Sequence, residues 1–556
     1  MEASRGLEIE KKYDVDSGAA VPALEQAAGV ARTGKPHTDL LEAVYFDTPR
    51  HALAARRITL RRRTGGKDAG WHLKLPPQAA AAGEGPQHRT ELHAPLGRPD
   101  VVPDALLTHL QAYLRGAVPV PVVRLETRRT TYPLYGDDGV HLADLADDQV
   151  TAERLQDRDK AAVTRQQWRE WELELVHGDP GLFGPVEELL AAAGARPAGH
   201  ASKLARALGD DKRAGKAAAK RSGAGGESAG QEATSHETAG QEAGSGEAGG
   251  PAAAESSPAL VAGKRAPAAA VVTVYVGGQI EQILARDAAV RGEEPGAVHA
   301  MRSAARRIRS VLGAYGRLYR ASPVRKLRSE LKWLGQLLGQ PRDAEVLREQ
   351  LREQLAGLPA GEGVAAATTR LEERTGGDYD AAFRLLQEAL GTDRYFRLLD
   401  KLEDFRDNPP VRAQAVVPGR RAAAKAVDKA AKRLRRSRKA AKQARRGMEQ
   451  ELALHRVRKD AKRLRHVAES AALVHGKRAG KVAKAARRQQ KILGRFQDAV
   501  VARDLLAGVA ADGTDAATAG IYAQLRSQQE ERMLAAQADF RKAWKKARDL
   551  LGHGVI

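Results

Sequence analysis

Charged residues that could bind metal or phosphate alternate with apolar residues along short segments near the start of the sequence. In LEIEKKY, strand alternation places Glu8, Glu10 and Lys12 on one face. In EWELELV, the same alternation places Glu172 and Glu174 opposite apolar neighbours. Paired carboxylates supply the oxygen ligands that Mg²⁺ and Mn²⁺ prefer. The spacing therefore predicts a metal-binding strand face.

Basic residues repeat this pattern in three further segments. ITLRRR places Arg61 and Arg63 on one face, GWHLKL presents Lys74, and HRTELH presents Arg89. Arginine and lysine bind phosphate oxygens through charge-assisted hydrogen bonds. One alternative is an ordinary sheet with a solvated polar face and cross-strand ion pairs. Clustered acidic and basic pairs on five strands favour a closed barrel with a charged bore that neutralises a polyphosphorylated substrate.

The segment Glu8-Ile-Glu10-Lys-Lys12 resembles the ExExK signature of the CYTH superfamily, also called the triphosphate tunnel metalloenzymes. YFDT, LRRR, HLKL, RTE, RRT, ELEL and Ser202-Lys203-Leu204 follow in the same order as in that family. The resemblance covers about residues 5–207. It implies an eight-stranded antiparallel tunnel that binds triphosphate and uses Mg²⁺ or Mn²⁺ to cleave or rearrange phosphoanhydrides.

The resemblance also implies roles for individual residues. The implied metal ligands are Glu8, Glu10, Glu172, Glu174 and Asp148. Asp144 shares strand parity with Asp148 and stays open as the alternative third acidic site. The implied triphosphate-binding residues are Lys12, Arg61, Arg63, Lys74, Arg89, Arg129 and Lys203. Lys12, Glu172 and Glu174 are expected to be catalytic, with Glu172 and Glu174 serving water activation.

Two histidine-led basic stripes mark the second half of the sequence. At 100° per residue, each stripe lies on one helix face, opposite an apolar stripe. The first stripe is His299, Arg302, Arg306 and Arg309, flanked by Arg307, and the second is His455, Arg458, Lys462 and Arg465, flanked by Lys459 and Arg463. A solvated helix face is the alternative for either stripe alone. Their recurrence after 156 residues, with LGQPRD and LGRFQD recurring after 155, indicates a duplicated helical unit.

This half resembles the CHAD domain over about residues 271–552. The HxxR openings, LKWLGQLLGQPRDAEVL and LGRFQDAVVARDLL carry the likeness. The resemblance implies two pseudo-symmetric four-helix bundles with a basic groove that binds long-chain inorganic polyphosphate. It implies that both stripes line one binding surface.

Composition bounds the remaining possibilities. The 556 residues carry a formal charge of +22, and residues 264–556 hold 60 Lys and Arg against 33 Asp and Glu. Such a field attracts polyanions. There are no cysteines, which excludes disulfides, thiolate metal sites and cysteine nucleophiles. No uninterrupted apolar run approaches the roughly 18 residues of a membrane span, and no signal peptide is evident.

The sequence thus predicts an α+β tunnel domain over residues 1–208, a disordered acidic linker over 209–267, and an all-α domain over 268–556. The expected function is metal-dependent hydrolysis of inorganic triphosphate or a related short polyphosphate, with the helical domain binding polyphosphate. Cyclase chemistry is less favoured, because no segment indicates a base pocket. The alternatives are a non-enzymatic protein that targets polyphosphate granules and a nucleic-acid-binding protein. We expect a cytoplasmic location, with granule association, and no membrane partner.

Overall fold

The computed structural model describes residues 4–76, 87–155, 165–209, 266–413, 417–512 and 515–552, with residues 554 and 556. The chain divides into two compact units, Met1–Glu255 and Ser256–Ile556. Of the predicted linker over residues 209–267, residues 210–265 lie outside the described residues, whereas residues 209, 266 and 267 are described. Its disorder therefore stays a prediction.

The first unit contains one antiparallel sheet. Its strands are β1 (Ser4–Val15), β2 (Arg32–Thr33), β3 (His37–Asp47), β4 (Thr59–Thr64), β5 (Gly70–Leu75), β6 (Gln87–Ala94), β7 (Val120–Tyr135), β8 (His141–Arg154), β9 (Arg165–Leu175) and β10 (Arg196–Pro197). The pairings run β1-β6-β5-β4-β3-β7-β8-β9, and β9 pairs again with β1. Because the path returns to its first strand, these eight strands form a closed circuit, as predicted. The two-residue strands β2 and β10 are additions to the predicted eight.

Helices cover the apolar outer face of this barrel. Leu60, Trp71 and Leu73 pack with α1 (Asp104–Leu114), and Tyr13 and Leu173 belong to a second cluster with α2 (Phe183–Ala192). Period-two alternation leaves the charged residues of the same strands on the other face, which we call the inner face. There the register aligns Tyr45 with Arg61, Arg61 with His72, and Lys74 with Glu91.

A short helix, α3 (Lys203–Leu208), packs against the inner face. Leu204 and Ala207 join an apolar cluster with Leu125 and Val150. The side chain of Ser202 caps the helix by accepting a hydrogen bond from the amide of Ala205 at 3.1 Å. The cap and the cluster fix where the first residue of α3, Lys203, enters the barrel.

The second unit is all-helical. Its described helices are α4 (Ala268–Arg291), α5 (Ala297–Ala314), α6 (Ala321–Leu337), α7 (Gly339–Ala356), α8 (Glu362–Leu390), α9 (Asp393–Asp407), α10 (Gly419–Gln443), α11 (Met448–His475), α12 (Lys477–Ala511) and α13 (Ala516–Ala547). The duplicated motifs align α5 with α11, and the pair α6 and α7 with the single helix α12. Pro341 lies in the first turn of α7, and Phe496 takes its place within α12. Proline cannot continue a helix that precedes it, which accounts for the break in the first copy.

The segments that lead into α4 and α10 support the duplication. The amide of Ala268 donates to the carbonyl of Val417, and the amide of Gly419 donates to the carbonyl of Ala266, each at 2.9 Å. This reciprocal pair joins the starts of the two copies. The fold class is therefore as predicted, except that the first copy divides its third helix and carries the extra helix α9.

One described helix, Ala268–Arg291, is long and apolar enough to cross a membrane by length and composition alone. Half of its apolar window is buried within the structure. Val272, Val276, Ile280 and Ile283 are among its buried side chains. Burial of this kind is typical of a core helix in a helical domain, and it gives the apolar composition a role in packing.

Candidate functional site

Three buried carboxylates meet on the inner face of the barrel. Asp148 projects from β8, and Glu170 and Glu172 project from β9. One oxygen from each of the three lies within 4.8 Å of the others. The register explains the cluster, because Asp148 is directly opposite Glu170. Glu170 is not among the predicted metal ligands, although it shares strand parity with Glu172.

Lys203 lies between these three carboxylates. Its Nζ is 2.8 Å from Asp148, 2.7 Å from Glu170 and 2.7 Å from Glu172. Burial would lower the pKa of Lys203, but the three carboxylates raise it well above its ordinary value. The ammonium is therefore charged, and it occupies a position that suits a cation.

Two further cations complete the cluster. Arg129 forms a bidentate pair with Asp148 at 2.7 and 2.6 Å, and its Nη2 also lies 2.6 Å from Glu172. Lys12 contacts Glu172 and donates to Glu10 at 2.8 Å. Burial would raise the pKa of Glu172, but Lys12, Lys203 and Arg129 hold it well below its ordinary value. Glu172 is therefore ionised at neutral pH.

Glu10 offers an oxygen that other groups leave unoccupied. Its Oε2 accepts from Lys12, whereas its buried Oε1 has no hydrogen-bond partner. Burial would raise the pKa of Glu10, but Lys12 and Lys74 keep it below its ordinary value. A buried, charged oxygen without a partner costs free energy unless a cation binds it. Together with the three-carboxylate cluster, this donor set fits Mg²⁺ or Mn²⁺.

The remaining acidic candidates lie in different surroundings. The register pairs Glu174 with both Glu10 and Asp144. The carboxylate of Asp144 lies 2.8 Å from Nε2 of His141 and outside the three-carboxylate cluster. The structure thus distinguishes Asp148 from Asp144, although both share strand parity. The backbone register pairs Glu8 with Arg89, and the side chains of both lie outside the described residues.

A basic wall lies on the neighbouring strands β4 and β5. Arg61 is within 3.4 Å of the Tyr45 hydroxyl, Arg63 binds the carbonyl of Asp68 at 2.9 Å, and Lys74 lies 3.9 Å from Glu91. Burial and the charge of Arg61 lower the pKa of Arg63 to about 10. Crowded guanidinium groups in a buried setting favour a bound anion. The inner face therefore places a carboxylate cluster beside a wall of cationic side chains.

The two helical stripes meet where α5 packs against α11. Burial and the charges of Arg302, Arg309 and Arg458 lower the pKa of Arg306 to about 10. Burial and the charges of Arg306, Arg458 and Arg302 lower the pKa of Lys462 to about 7. The pKa of each cation is thus lowered by cations of the other copy. Packing merges the two stripes into one cationic cluster.

The repeated LGxxxD motifs hold one arginine of each stripe. Arg302 pairs with Asp343 at 2.9 Å, and Arg458 lies 4.0 Å from Asp498. A Cβ added at Gly339 would lie 3.3 Å from Arg302, so glycine gives this guanidinium room beside α7. Gly494 takes the corresponding place beside Arg458, where an added Cβ would be at 3.8 Å.

The other stripe residues and the residues that flank them differ in their partners and exposure. Nδ1 of His455 lies 2.5 Å from Oε1 of Gln497. Burial lowers the pKa values of His455 and His299, and both rings are neutral at pH 7. Three arginines form local ion pairs: the flanking residue Arg307 and the stripe residue Arg465 with Glu469, and the flanking residue Arg463 with Asp460. Burial and the charge of Arg328 lower the pKa of Arg309, and Lys459 is exposed.

Comparison with known proteins covers both units. The family model of the CYTH domain matches residues 6–206, and that of the CHAD domain matches residues 274–507. The protein Rv2226 of Mycobacterium tuberculosis (strain ATCC 25618 / H37Rv) is 36% identical over 569 residues, which covers 98% of each chain. The structure of PptA from Streptomyces chartreusis matches 50% of this chain and 100% of its own at 22% identity, with a TM-score of 0.43. The CHAD domain from the plant Ricinus communis matches 52% of this chain and 94% of its own at 24% identity, with a TM-score of 0.41.

Proposed function

This chain belongs to the family of proteins that carry a CYTH domain followed by a CHAD domain, and from that premise we propose that it hydrolyses inorganic triphosphate or a related short polyphosphate within the barrel. One observation carries the proposal. The inner face joins a carboxylate cluster that fits a divalent metal to a cationic wall that fits phosphate. Neither part alone would suit a phosphoanhydride.

The proposed reaction is attack of water on a terminal phosphorus, with cleavage of the P–O bond to the bridging oxygen. Arg61, Arg63 and Lys74 bind phosphate oxygens and neutralise charge that builds on the leaving phosphate. Glu10, Asp148, Glu170 and Glu172 would hold Mg²⁺ or Mn²⁺, which when bound polarises phosphate oxygens. Glu172 is a weak base because its pKa is strongly lowered, so it orients the water rather than taking its proton.

The test measures phosphate release by the full-length protein from triphosphate, long polyphosphate, ATP and thiamine triphosphate, with Mg²⁺ and with Mn²⁺. Glu172→Gln should reduce kcat for the preferred substrate at least 100-fold, and Glu10→Gln should do the same. Glu187→Gln is the matched control, because Glu187 on α2 pairs with Lys11 outside the inner face. Full turnover in both inner-face variants would refute the assignment, and preference for ATP with pyrophosphate release would indicate a cyclase.

We propose that the helical unit binds long-chain polyphosphate. The merged cationic cluster supports this function, because buried like charges are costly until an anion binds among them. A protein with this surface and an inactive barrel would be a polyphosphate-targeting protein, which is the main alternative to an enzyme.

Binding can be tested with the full-length protein and long polyphosphate. Arg306→Gln combined with Lys462→Gln should weaken binding at least tenfold, while Lys545→Gln, which removes an exposed lysine of α13, should change it little. Affinity should fall as salt rises, because counterions are released on binding. A duplex DNA that competes equally at matched phosphate concentration would favour the nucleic-acid alternative. Unchanged affinity in a folded double variant would mean that the stripes are only solvated faces.

A further inference from the structure

Two histidines and an aspartate meet on the inner face, apart from the carboxylate cluster. His72 on β5 and His93 on β6 are directly opposite in the register, and their rings are 4.9 Å apart. Asp68, in the turn before β5, reaches both rings. Its Oδ2 is 3.8 Å from Nε2 of His72, and its Oδ1 is 3.5 Å from Nε2 of His93. One ligand atom from each residue lies within 4.8 Å of the others.

Each imidazole presents its Nε2 atom to this point. Nε2 of His93 is buried and has no hydrogen-bond partner. Nδ1 of His72 lies 2.9 Å from the carboxylate of Glu91, and its Nε2 lies 3.0 Å from the carbonyl oxygen of Asp68. A hydrogen on Nδ1, beside the Glu91 carboxylate, would leave the lone pair of Nε2 to face this point.

A cation between these groups would give Nε2 of His93 the partner that it lacks. It would take the lone pairs of the two Nε2 atoms and an oxygen of Asp68, while Glu91 would orient His72 from outside. This carboxylate–histidine–metal relay is common in zinc sites. Gly70 keeps the position accessible to His93, because a Cβ at residue 70 would lie 2.3 Å from Nε2 of His93.

We propose that His72, His93 and Asp68 form a second metal site, selective for a zinc-class transition ion rather than Mg²⁺. Imidazole nitrogens suit Zn²⁺ and Co²⁺, whereas Mg²⁺ prefers carboxylate and water oxygens. Three protein ligands leave at least one coordination position open for solvent or another oxygen ligand. The ion would tie the β4–β5 turn to strands β5 and β6 beside Arg61 and Arg63.

The test is an optical titration of tag-free, full-length protein with Co²⁺, in excess Mg²⁺ so that the carboxylate cluster does not contribute. Wild type should bind one Co²⁺ with visible absorption bands that Zn²⁺ abolishes. His93→Gln and Asp68→Asn should each weaken Co²⁺ binding at least tenfold. His141→Gln should bind as wild type does, because His141 pairs with Asp144 but belongs to no group of three potential metal ligands among the described residues.

Asp68→Asn keeps the test decisive if His93→Gln does not fold, because the side chain of Asp68 is 60% exposed and its change should not disturb the core. Equal Co²⁺ affinity in wild type and Asp68→Asn would overturn the proposal. Displacement of Co²⁺ by Mg²⁺, or no Co²⁺ bands in wild type, would overturn it as well. Because the readout is absorption, loss of triphosphate hydrolysis has no bearing on the result.

Discussion

At the scale of single residues, the position of Lys203 is the most informative feature of the barrel. Its ammonium contacts Asp148, Glu170 and Glu172 together. A divalent metal bound by the same three carboxylates would compete with this lysine. We therefore expect the lysine to stabilise the carboxylates in the metal-free protein and to be displaced when a metal binds.

Lys203→Met should therefore destabilise the metal-free protein and strengthen its response to metal. Removing one partner of a buried charge cluster costs about 3–5 kcal/mol. We expect a lower Tm without metal, and a larger rise of Tm on adding Mn²⁺ than in wild type. Differential scanning fluorimetry measures both values, with Lys11→Met as the control for a lysine on the outer face. If Mn²⁺ raised the Tm of wild type and of Lys203→Met equally, Lys203 would not share its position with the metal.

Lys462 predicts a pH dependence of the helical unit. Its pKa is about 7 in the folded protein and 10.5 ordinarily. Between these values the unfolded chain binds the proton and the folded chain does not, so this residue makes stability rise with pH across that window. Lys462→Met should flatten the rise, which urea unfolding at pH 6.5 and 9 measures. Bound polyphosphate should raise the pKa of Lys462 again, so that this lysine becomes protonated. Binding at pH 8 should therefore take up about one proton per protein molecule, which calorimetry in two buffers measures. A profile that Lys462→Met leaves unchanged would contradict this view.

At the scale of elements, α3 links the apolar and polar parts of the barrel. This six-residue helix is too short to be stable alone, so its place depends on the cap at Ser202 and on Leu204 and Ala207. The same packing sets the position of Lys203. Packing of an apolar helix face thus governs the electrostatics of the carboxylate cluster.

Leu204→Ala should test this link. The side chain is fully buried, and its truncation should cost about 2–5 kcal/mol. Because α3 would loosen, the variant should also lose hydrolysis, at least tenfold in kcat. Urea unfolding and phosphate release measure the two effects. Leu40→Ala is the control, since Leu40 is 76% exposed and its loss should change neither quantity. A destabilised variant with full turnover would mean that α3 supports the fold only.

At the scale of the whole molecule, the two units differ in how their charged side chains are arranged, and this arrangement favours a different kind of ligand in each. The barrel brings buried charges of opposite sign together, so we expect it to suit a small ligand that carries both metal and phosphate. The helical unit instead brings like charges of two copies together, which suits a long polyanion that contacts many cations at once. We therefore expect two binding modes within one chain.

The sequence by itself determined the elements and the face on which each charged residue lies. Period-two alternation predicted that Glu10, Lys12, Arg61, Lys74 and Glu172 would be on one face. The predicted strands coincide with β1, β4, β5, β6 and β9, except that Ile58 and Val176 lie just outside β4 and β9. The duplicated motifs likewise predicted the two helical copies. Alternation and repetition are local properties, and so they can be read from neighbouring residues.

Only the tertiary structure decided which of these residues meet. Strand parity could not separate Asp144 from Asp148 or select Glu170. Parity predicts only on which face of the sheet a side chain lies, whereas the register between strands determines which side chains are level with one another. The three contacts of Lys203 and the meeting of Arg306 with Lys462 join residues that are 31 to 156 positions apart. Such contacts depend on barrel closure and on helix packing, and no local pattern of residues encodes either distance.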